Sequence, residues 1–138
     1  RDKKLWPEDH WITVGRALRD AGLTPVFTAG NAIEAARSQR IAAGIAEGGP
    51  MGEVLFRPSL TQLTERISKA RLCLGVDTGF THIACALTVP TIAIFTDTDP
   101  ELAGGFGLGL RQTFGHLDSC PPVSDIMGQL KAWGFLTA

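Results

Sequence analysis

The sequence predicts an α/β fold, in which helices cover both faces of a parallel β-sheet. Short apolar runs alternate with segments whose apolar residues recur at helical spacing, and brief turns link the two kinds of segment. A parallel return between two strands needs a crossover, which is usually a helix. With 138 residues, of which 44% are hydrophobic and 20% charged, the chain matches one ordinary globular domain. We therefore expect a single core and no internal domain boundary.

The first four elements are predicted as helix, strand, helix and strand. A helix over residues 8–21 ends at Gly22, a residue typical of helix termini. The run 25–29 is β-prone, a second helix follows it, and residues 53–56 are predicted as the next strand. The apolar faces of the two helices are predicted to consist of Trp11, Val14, Leu18 and Ala21 in the first and Ile33, Ala36, Ile41 and Ile45 in the second.

The second half of the chain repeats the alternation. Ser59 and Gln62 have the spacing of a capping box, so a helix that buries Leu60, Leu63 and Ile67 is expected after them. The run 72–76 is apolar at nearly every position, as burial on both faces of a parallel sheet requires, and it is expected to be central. Beyond it the pattern indicates a small-residue helix, a strand, an irregular segment and a closing helix, at about 80–87, at 91–95, at 96–122 and from Ile126 through Leu130 to Trp133.

Charge, hydropathy and cysteine content exclude several classes of protein. A net charge of −1 and a pI near 6.3 provide no field that attracts nucleic acid. No apolar run approaches the roughly 20 residues of a membrane-spanning helix. The cysteines at 73, 85 and 120 lack the close spacing of zinc ligands, so buried, reduced thiols of a cytoplasmic protein are expected. The start at Arg1, without a methionine or a signal sequence, indicates a fragment.

The chemistry is expected at one edge of the sheet. All strands of a parallel sheet point the same way, so the loops after residues 29, 56, 76 and 95 emerge together, and ligands of open α/β sheets bind in the crevice at this edge. The polar residues in or near these loops are Glu34, Ser59, Asp77, Thr78, His82, Thr96, Asp97, Thr98 and Asp99.

The turn Asp77-Thr78-Gly79 has the features of an anion site. Gly79 permits close approach of a phosphate, and the helix that follows directs unpaired N–H groups toward it. A diphosphate needs several donors, and the Thr78 hydroxyl and Lys4 are candidates. The alternative is that Asp77 or Thr78 only caps the helix, which is the commonest role for such residues at that position.

Three further residues have both a functional and a structural interpretation. His82, one turn inside the helix, either donates to a phosphate or sugar oxygen or is a hydrogen-bonded core histidine among apolar neighbours. Glu34 either accepts from both hydroxyls of a ribose or is a solvated acid favoured by the helix dipole. Lys4 either contacts phosphate or is a mobile surface residue in a basic terminal run.

Rival function classes remain open at this point. Asp97 and Asp99 after an apolar strand are compatible with a Mg²⁺-dependent phosphatase, although Asp99 also fits a turn or a helix start. A nicotinamide-dependent oxidoreductase has a similar sheet, but no G-x-G-x-x-G follows a strand in this chain. A non-catalytic α/β interaction module is the third alternative, and it predicts that no nucleotide binds.

A family resemblance favours one of these classes. Four ordered blocks carry it: Lys4 with Trp6-Pro7-Glu8 and Trp11; Gly30 with Glu34 and Arg37; Val76-Asp77-Thr78-Gly79 with His82, Ala84, Ala86 and Leu87; and Thr98-Asp99-Pro100 with Gly104-Gly105-Phe106-Gly107. Together they resemble the C-terminal domain of the ADP-heptose:lipopolysaccharide heptosyltransferases of glycosyltransferase family 9. The Asp-Thr-Gly block resembles the type I enzymes, since type II enzymes tend to have Asp-Ser-Gly. The pair of Thr-Asp-Pro and Gly-Gly-aromatic-Gly blocks resembles the type I enzymes as well.

The resemblance implies one half of a GT-B glycosyltransferase, which consists of two facing Rossmann-like domains. Residues 1–138 then form a single ADP-heptose-binding domain, while the N-terminal acceptor domain, which holds the general base, is absent. The implied reaction moves heptose, with inversion, to Kdo of the lipopolysaccharide inner core on lipid A. The enzyme is then cytoplasmic and peripheral at the cytoplasmic face of the inner membrane, requires no metal or other cofactor, and as this fragment alone transfers nothing.

The resemblance also implies a role for individual residues. Carried over by matching position, Lys4 contacts phosphate and sugar, Glu34 the ribose, Asp77 the heptose hydroxyls, Thr78 and Gly79 the diphosphate, His82 the phosphate or the sugar, and Pro58, Ser59 and Leu60 the nucleobase. The chain departs from the family where Thr96-Asp97 replaces the usual Gly-Pro. A carboxylate near a diphosphate is unfavourable, so Asp97 is expected to face solvent or to mark a change in how the donor is handled.

Overall fold

The computed structural model describes residues 5–76, 78–94, 111–115 and 120–137, without the side chains of residues 78 and 79. Its helices and strands alternate along the chain as far as the fourth strand, and the next described element is a fifth strand. In order they are α1 (Glu8–Asp20), β1 (Val26–Ala29), α2 (Ala32–Ala46), β2 (Glu53–Phe56), α3 (Leu60–Ser68), β3 (Cys73–Gly75), α4 (Thr78–Ala86), β4 (Thr91–Ile94), β5 (Arg111–Phe114) and α5 (Val123–Ala132).

The chain forms two compact units. The β1–β2 unit comprises Pro7–Ser59 and Val123–Ala138, and the β3–β5 unit comprises Arg1–Trp6 and Leu60–Pro122. Each unit contains one sheet, of two strands in the first and three in the second. Every strand pairing in the described residues is parallel, which confirms the predicted class. No helix in these residues combines the length and apolar content that a membrane span requires.

In the β1–β2 unit, α1 packs on both α2 and α5. The buried side chains include Val14 of α1, Ile41 and Ile45 of α2, and Ile126 and Leu130 of α5. These apolar residues recur at helical spacing, and burying each one stabilises the fold by about 1.5–3 kcal/mol relative to exposure. Most of the buried side chains of this unit therefore lie on its helices.

Two glycines permit close contact between α1 and α2. A Cβ atom at Gly15 would lie 2.2 Å from Ile45 Cδ1, and one at Gly44 would lie 2.5 Å from Ile12 Cδ1. Real Cβ atoms do not approach this closely, so only glycine fits at either position without rearrangement. The α1–α2 contact therefore depends on the lack of a side chain at Gly15 and Gly44 as well as on the two isoleucines.

Arginines of α1 bind the carboxyl end of α2. Arg16 Nε donates to Gly44 O at 2.9 Å, and the Arg19 guanidinium donates to Ile45 O. Glu47, the left-handed C-cap of α2, forms an ion pair with Arg16 at 3.2 Å. The last carbonyls of a helix lack partners within the helix and attract cations. The two arginines therefore satisfy groups that α2 itself leaves unpaired.

In the β3–β5 unit, β4 is the central strand and all four of its side chains are buried. The core cluster of this unit comprises Ile67, Cys73, Ala84 and Val89. The run 72–76 was predicted to be the central strand of the sheet. This prediction was wrong for the described sheet, because β3 pairs with β4 alone. An apolar run also results when a helix covers an edge strand, and here α4 packs against β3.

Several predicted features differ in detail from the structure. β5 lies within a segment predicted to be irregular, because its polar residues Arg111 and Gln112 are exposed and give no apolar run. Ile33 is 81% exposed and Ala36 is exposed, so neither belongs to the buried face of α2. Trp133 lies in the turn after α5 rather than in the helix.

Candidate functional site

The carboxyl ends of β1 and β2 meet at one edge of the β1–β2 unit. Ala29 and Phe56, the last residues of the two strands, are register partners. The segments that follow them, including Glu34 on one side and Pro58 and Ser59 on the other, therefore leave from the same edge. This confirms, within this unit, that the predicted loops emerge together.

Glu34 is held in place by the turn that begins α2. Its Oε1 accepts from the Gly30 N–H at 2.7 Å, and its Oε2 accepts from Asn31 Nδ2 at 3.3 Å. In return the Glu34 N–H donates to Asn31 Oδ1 at 2.9 Å, so Asn31 is the N-cap of α2. This reciprocal bonding resembles a capping box, and it orients the carboxylate before any ligand binds.

Glu34 is exposed in the first turn of α2, as its structural interpretation expected, but its carboxylate is also hydrogen-bonded within the turn. The functional interpretation stays a prediction. Each carboxylate oxygen has two acceptor positions, and each uses one within the turn. The residue is exposed, so the remaining positions face solvent. A pair of vicinal hydroxyls, as in a ribose, matches two adjacent oxygens that each accept one more hydrogen bond.

Sequence reasoning missed Asn31 and Arg57. The spacing of Asn31 and Glu34 is that of a capping box, the same signal that was recognised at Ser59 and Gln62. Arg57, directly after β2, has a left-handed φ of 49°, and its N–H donates to Ala29 O at 2.7 Å. No sequence signal marks it, because an arginine is not expected in a left-handed conformation.

The second candidate edge lies in the β3–β5 unit, where α4 follows β3. A Cβ atom at Gly75 would lie 2.9 Å from Phe80 Cδ1, so the glycine permits the first turn of α4 to pack on the end of β3. The helix begins at Thr78, two residues earlier than predicted. The first amides of an α-helix have no intrahelical partner, so the backbone at Thr78 and Gly79 has the donors that an anion requires.

His82 is exposed on α4, and its neighbours Thr81 and Ala84 are buried. The interpretation of His82 as a core histidine is therefore wrong. An imidazole on the outer side of the helix, one turn from its start, is accessible to an anion bound at the helix N-terminus.

Several predicted site residues lie outside the described part of the chain. They are Lys4, Asp77, the side chain of Thr78, the segment Thr96-Asp97-Thr98-Asp99 and the glycines at 104, 105 and 107. Leu60, the first residue of α3, is described and 70% exposed. Among the residues that the structure describes, no cluster of His, Cys, Asp and Glu has the geometry of a metal site.

All three cysteines are free thiols. Cys73 and Cys85 are buried as predicted, whereas Cys120 is exposed, which corrects that part of the prediction. Burial in the core, together with the neighbouring Cys85 thiol, raises the pKa of Cys73 to about 11. A thiol with so high a pKa is a poor nucleophile at neutral pH.

Comparison of the sequence with known proteins identifies close relatives. The sequence profile of glycosyltransferase family 9 (heptosyltransferase) matches residues 1–123. Lipopolysaccharide heptosyltransferase 1 of Escherichia coli K12 is 37% identical over 107 residues, which are 78% of this chain and 32% of that protein. The Pseudomonas aeruginosa protein of the same name is 36% identical over 104 residues, or 75% of this chain and 28% of that protein. The chain thus spans about a third of these relatives.

Solved structures of heptosyltransferases have a similar fold. E. coli heptosyltransferase WaaC with ADP superposes with a TM-score of 0.77 at 32% identity, over 96% of this chain and 41% of that one. WaaC with ADP-2-deoxy-2-fluoro heptose superposes with a TM-score of 0.76 at 26% identity, over 97% of this chain and 40% of that one. The fold is therefore that of one part of a GT-B heptosyltransferase.

Proposed function

Because the chain belongs to glycosyltransferase family 9, the heptosyltransferases, we propose that residues 1–138 are a single ADP-heptose-binding domain. The complete enzyme then transfers heptose from ADP-heptose to Kdo of the lipopolysaccharide inner core. Similarity to proteins named heptosyltransferase 1 and to structures solved with ADP and an ADP-heptose analogue supports this choice of donor. The chain spans only about a third of those relatives, so the acceptor and the general base are assigned to other parts of the enzyme.

One observation carries the proposal: the Glu34 carboxylate is fixed at the carboxyl edge of the β1–β2 unit and retains two acceptor positions. A carboxylate accepts from hydroxyl groups but not from phosphate oxygens, so a sugar is the part of a nucleotide that it suits. A preorganised acceptor binds its ligand without first losing conformational freedom. The ribose of the donor is therefore assigned to Glu34.

The remaining contacts follow from the positions that match the family. The start of α4, with Thr78 and Gly79, is assigned the diphosphate, and His82 and Lys4 the phosphate or the sugar. Asp77 is assigned the heptose hydroxyls. The segment of Pro58, Ser59 and Leu60 is assigned the nucleobase. No residue of this set is a metal ligand in the proposed mechanism.

Catalysis by this part of the enzyme is electrostatic. An acceptor hydroxyl attacks the anomeric carbon from the side opposite the diphosphate, which inverts the centre, and a base outside residues 1–138 takes its proton. The bond between the anomeric carbon and the diphosphate oxygen breaks, and its electron pair remains on ADP. The amides at the start of α4, His82 and Lys4 stabilise that growing charge, because donors fixed in advance need no reorganisation during the reaction.

Calorimetry on the 138-residue chain tests the proposal. ADP and ADP-heptose are expected to bind more tightly than NAD or GDP. Glu34→Ala and Thr78→Ala are each expected to weaken ADP about tenfold, the effect of losing a charge-assisted hydrogen bond worth about 1.5 kcal/mol. The chain alone is expected to transfer no heptose, since the base lies elsewhere.

Three outcomes contradict the proposal. Preferential binding of NAD indicates a nicotinamide enzyme, and the absence of any nucleotide binding indicates an interaction module. Mg²⁺-dependent release of phosphate that Asp97→Asn abolishes indicates a phosphatase.

We further assign the enzyme to the cytoplasm, peripheral at the cytoplasmic face of the inner membrane. The proposed acceptor, a lipid A bearing Kdo, resides at that membrane, and the proposed donor is water-soluble. Cell fractionation tests this assignment, which is rejected if the full-length enzyme is recovered in the periplasm.

A further inference from the structure

Three residues other than glycine have a left-handed backbone in the described residues, namely Glu47, Arg57 and Thr88. Glu47 is the C-cap of α2. Thr88 ends α4, where the N–H of Val89 donates to Ala84 O at 3.0 Å. Left-handed residues are usual at helix C-termini, although glycine is preferred. Arg57 has no helix to end, since it follows β2 directly, so its conformation needs another explanation.

Arg57 is linked to Glu34 through a single peptide group. The carbonyl of Ala29 accepts from the Arg57 N–H, and the N–H of Gly30, in the same peptide group, donates to Glu34 Oε1, both at 2.7 Å. Hydrogen bonds on both sides of one planar group fix the Arg57 backbone relative to the carboxylate. The conformation of Arg57 therefore belongs to the edge where Glu34 lies.

The Arg57 side chain is exposed, and none of the residues described in the structure forms an ion pair with its guanidinium. An aromatic side chain is exposed next to it in the chain, since the preceding residue, Phe56, is 55% exposed. A guanidinium is weakly hydrated and planar, and it stacks on aromatic rings. The nearby Glu34 carboxylate repels a phosphate at this edge. The uncharged part of a nucleotide, its sugar and base, is therefore the part that this edge suits.

We infer that Arg57 is a donor-binding residue whose guanidinium packs against the face of the nucleobase, next to the ribose held by Glu34. This inference rests on the proposed function, since it presumes that a nucleotide occupies this edge. It adds a residue to the proposed nucleobase segment, and it explains why a strained arginine stands where glycine would be unstrained. Strained conformations persist where a function requires a particular side chain.

The test compares ligands with and without a base. NMR titrations of the 138-residue chain are run with AMP and with ribose 5-phosphate, for the wild type, Arg57→Gly and Arg57→Lys. Arg57→Gly is expected to weaken AMP about fivefold, as the loss of an exposed cation–π contact does, and to leave ribose 5-phosphate unchanged. Arg57→Lys is expected to weaken AMP as well, because an ammonium does not reproduce the planar stack.

A matched control is Glu47→Gly, which replaces another left-handed residue of the same unit at the opposite end of α2. This variant is expected to bind AMP like the wild type. Neither glycine variant is expected to lose its cooperative thermal transition, because glycine accepts the left-handed conformation without strain. Arg57→Gly is expected to unfold no earlier than the wild type.

The outcomes separate the two proposals. If Glu34→Gln weakens AMP but Arg57→Gly does not, the proposed function stands and the role of Arg57 is rejected. The nucleobase role of Arg57 is also rejected if Arg57→Gly weakens the binding of AMP and of ribose 5-phosphate equally, and if added salt reduces the difference from the wild type. Arg57 then contacts the phosphate. If the wild-type chain binds neither AMP nor ADP, the proposed function itself is rejected.

Discussion

Glu34 Oε1 lies 3.3 Å from the position that a Cβ atom at Gly30 would take. This separation is shorter than most contacts that a Cβ atom makes, and the same oxygen is bonded to the Gly30 N–H at 2.7 Å. A methyl group at Gly30 therefore forces the carboxylate to move by a few tenths of an ångström. A change of this size disturbs hydrogen-bond geometry without disrupting the fold.

Gly30→Ala is expected to weaken ADP binding about twofold to fivefold, because part of a hydrogen bond worth about 1 kcal/mol is lost. The thermal transition is expected to remain within a few degrees of the wild type. Calorimetry and thermal unfolding measured on the same preparation check both statements.

Gly128→Ala is the matched control, since nothing lies within 4 Å of a Cβ atom at Gly128 in α5. It is expected to stabilise the chain by up to about 1 kcal/mol through helix propensity and to leave ADP affinity unchanged. If both alanine variants bind ADP like the wild type, the carboxylate position does not matter for the ligand.

Gly15→Ala is expected to destabilise the chain by about 1–3 kcal/mol, although alanine favours helices, because its Cβ overlaps Ile45 in a packed core. Ile45→Ala removes the overlapping atoms. The double variant is therefore expected to be more stable than the sum of the single effects predicts, and urea unfolding of all four proteins measures this coupling. Strictly additive effects indicate that the helices adjust and that Gly15 is not required for close packing.

Stability is expected to depend on the ionisation of Glu8. Hydrogen bonds from Arg40, at 2.9 and 3.1 Å, lower the pKa of Glu8 in the folded chain. A carboxyl whose pKa is lower in the folded chain stabilises the fold at any pH above its pKa in the unfolded chain, about 4.3 for glutamate. This stabilisation is lost as the pH falls through the pKa in the folded chain.

Glu8→Gln is therefore expected to be slightly less stable than the wild type at pH 7, as is usual for an exposed ion pair. The difference should vanish in acid. Urea unfolding at pH 7, 5 and 3 measures it, with Glu65→Gln as control because the ion pair of Glu65 with Lys69 is more exposed. A difference that persists unchanged at pH 3 contradicts an electrostatic origin.

The thiols are expected to react in a fixed order. At pH 8 an alkylating reagent should modify Cys120 first, because it is exposed, while burial protects Cys73 and Cys85. With a pKa of about 11, Cys73 is ionised in roughly one molecule in a thousand at this pH. Mass spectrometry is expected to find one rapidly labelled site in the native chain and three after unfolding, and rapid labelling of Cys73 contradicts the buried position.

The sequence predicted the features that depend on local pattern. Alternation of apolar runs and helical faces predicted the parallel strands, whereas the role of Glu34 as a ligand of ribose stays a prediction. Ile33 was misassigned because an apolar residue at helical spacing is predicted to be buried, and nothing in the local pattern distinguishes an apolar residue that stays exposed.

The missed features depend on contacts between distant segments. Arg57 adopts its conformation because Ala29, 28 positions away, accepts its N–H. β5 is polar, and it forms a strand because β4 provides a parallel neighbour. Of the missed features, only the N-cap Asn31 has a local pattern that indicates it. Its spacing from Glu34 is that of the capping box predicted at Ser59 and Gln62.

The attachment of α2 at its carboxyl end has a consequence for how this protein can change. Arg16 and Arg19 bind the carbonyls of Gly44 and Ile45 at that end, about 15 Å along the helix from Glu34. The contacts that hold α2 in the fold and the proposed ribose-binding carboxylate thus lie at opposite ends of the same helix. We therefore expect substitutions at the amino end to alter nucleotide preference without weakening the packing at the carboxyl end, which makes this helix a suitable starting point for altering donor choice.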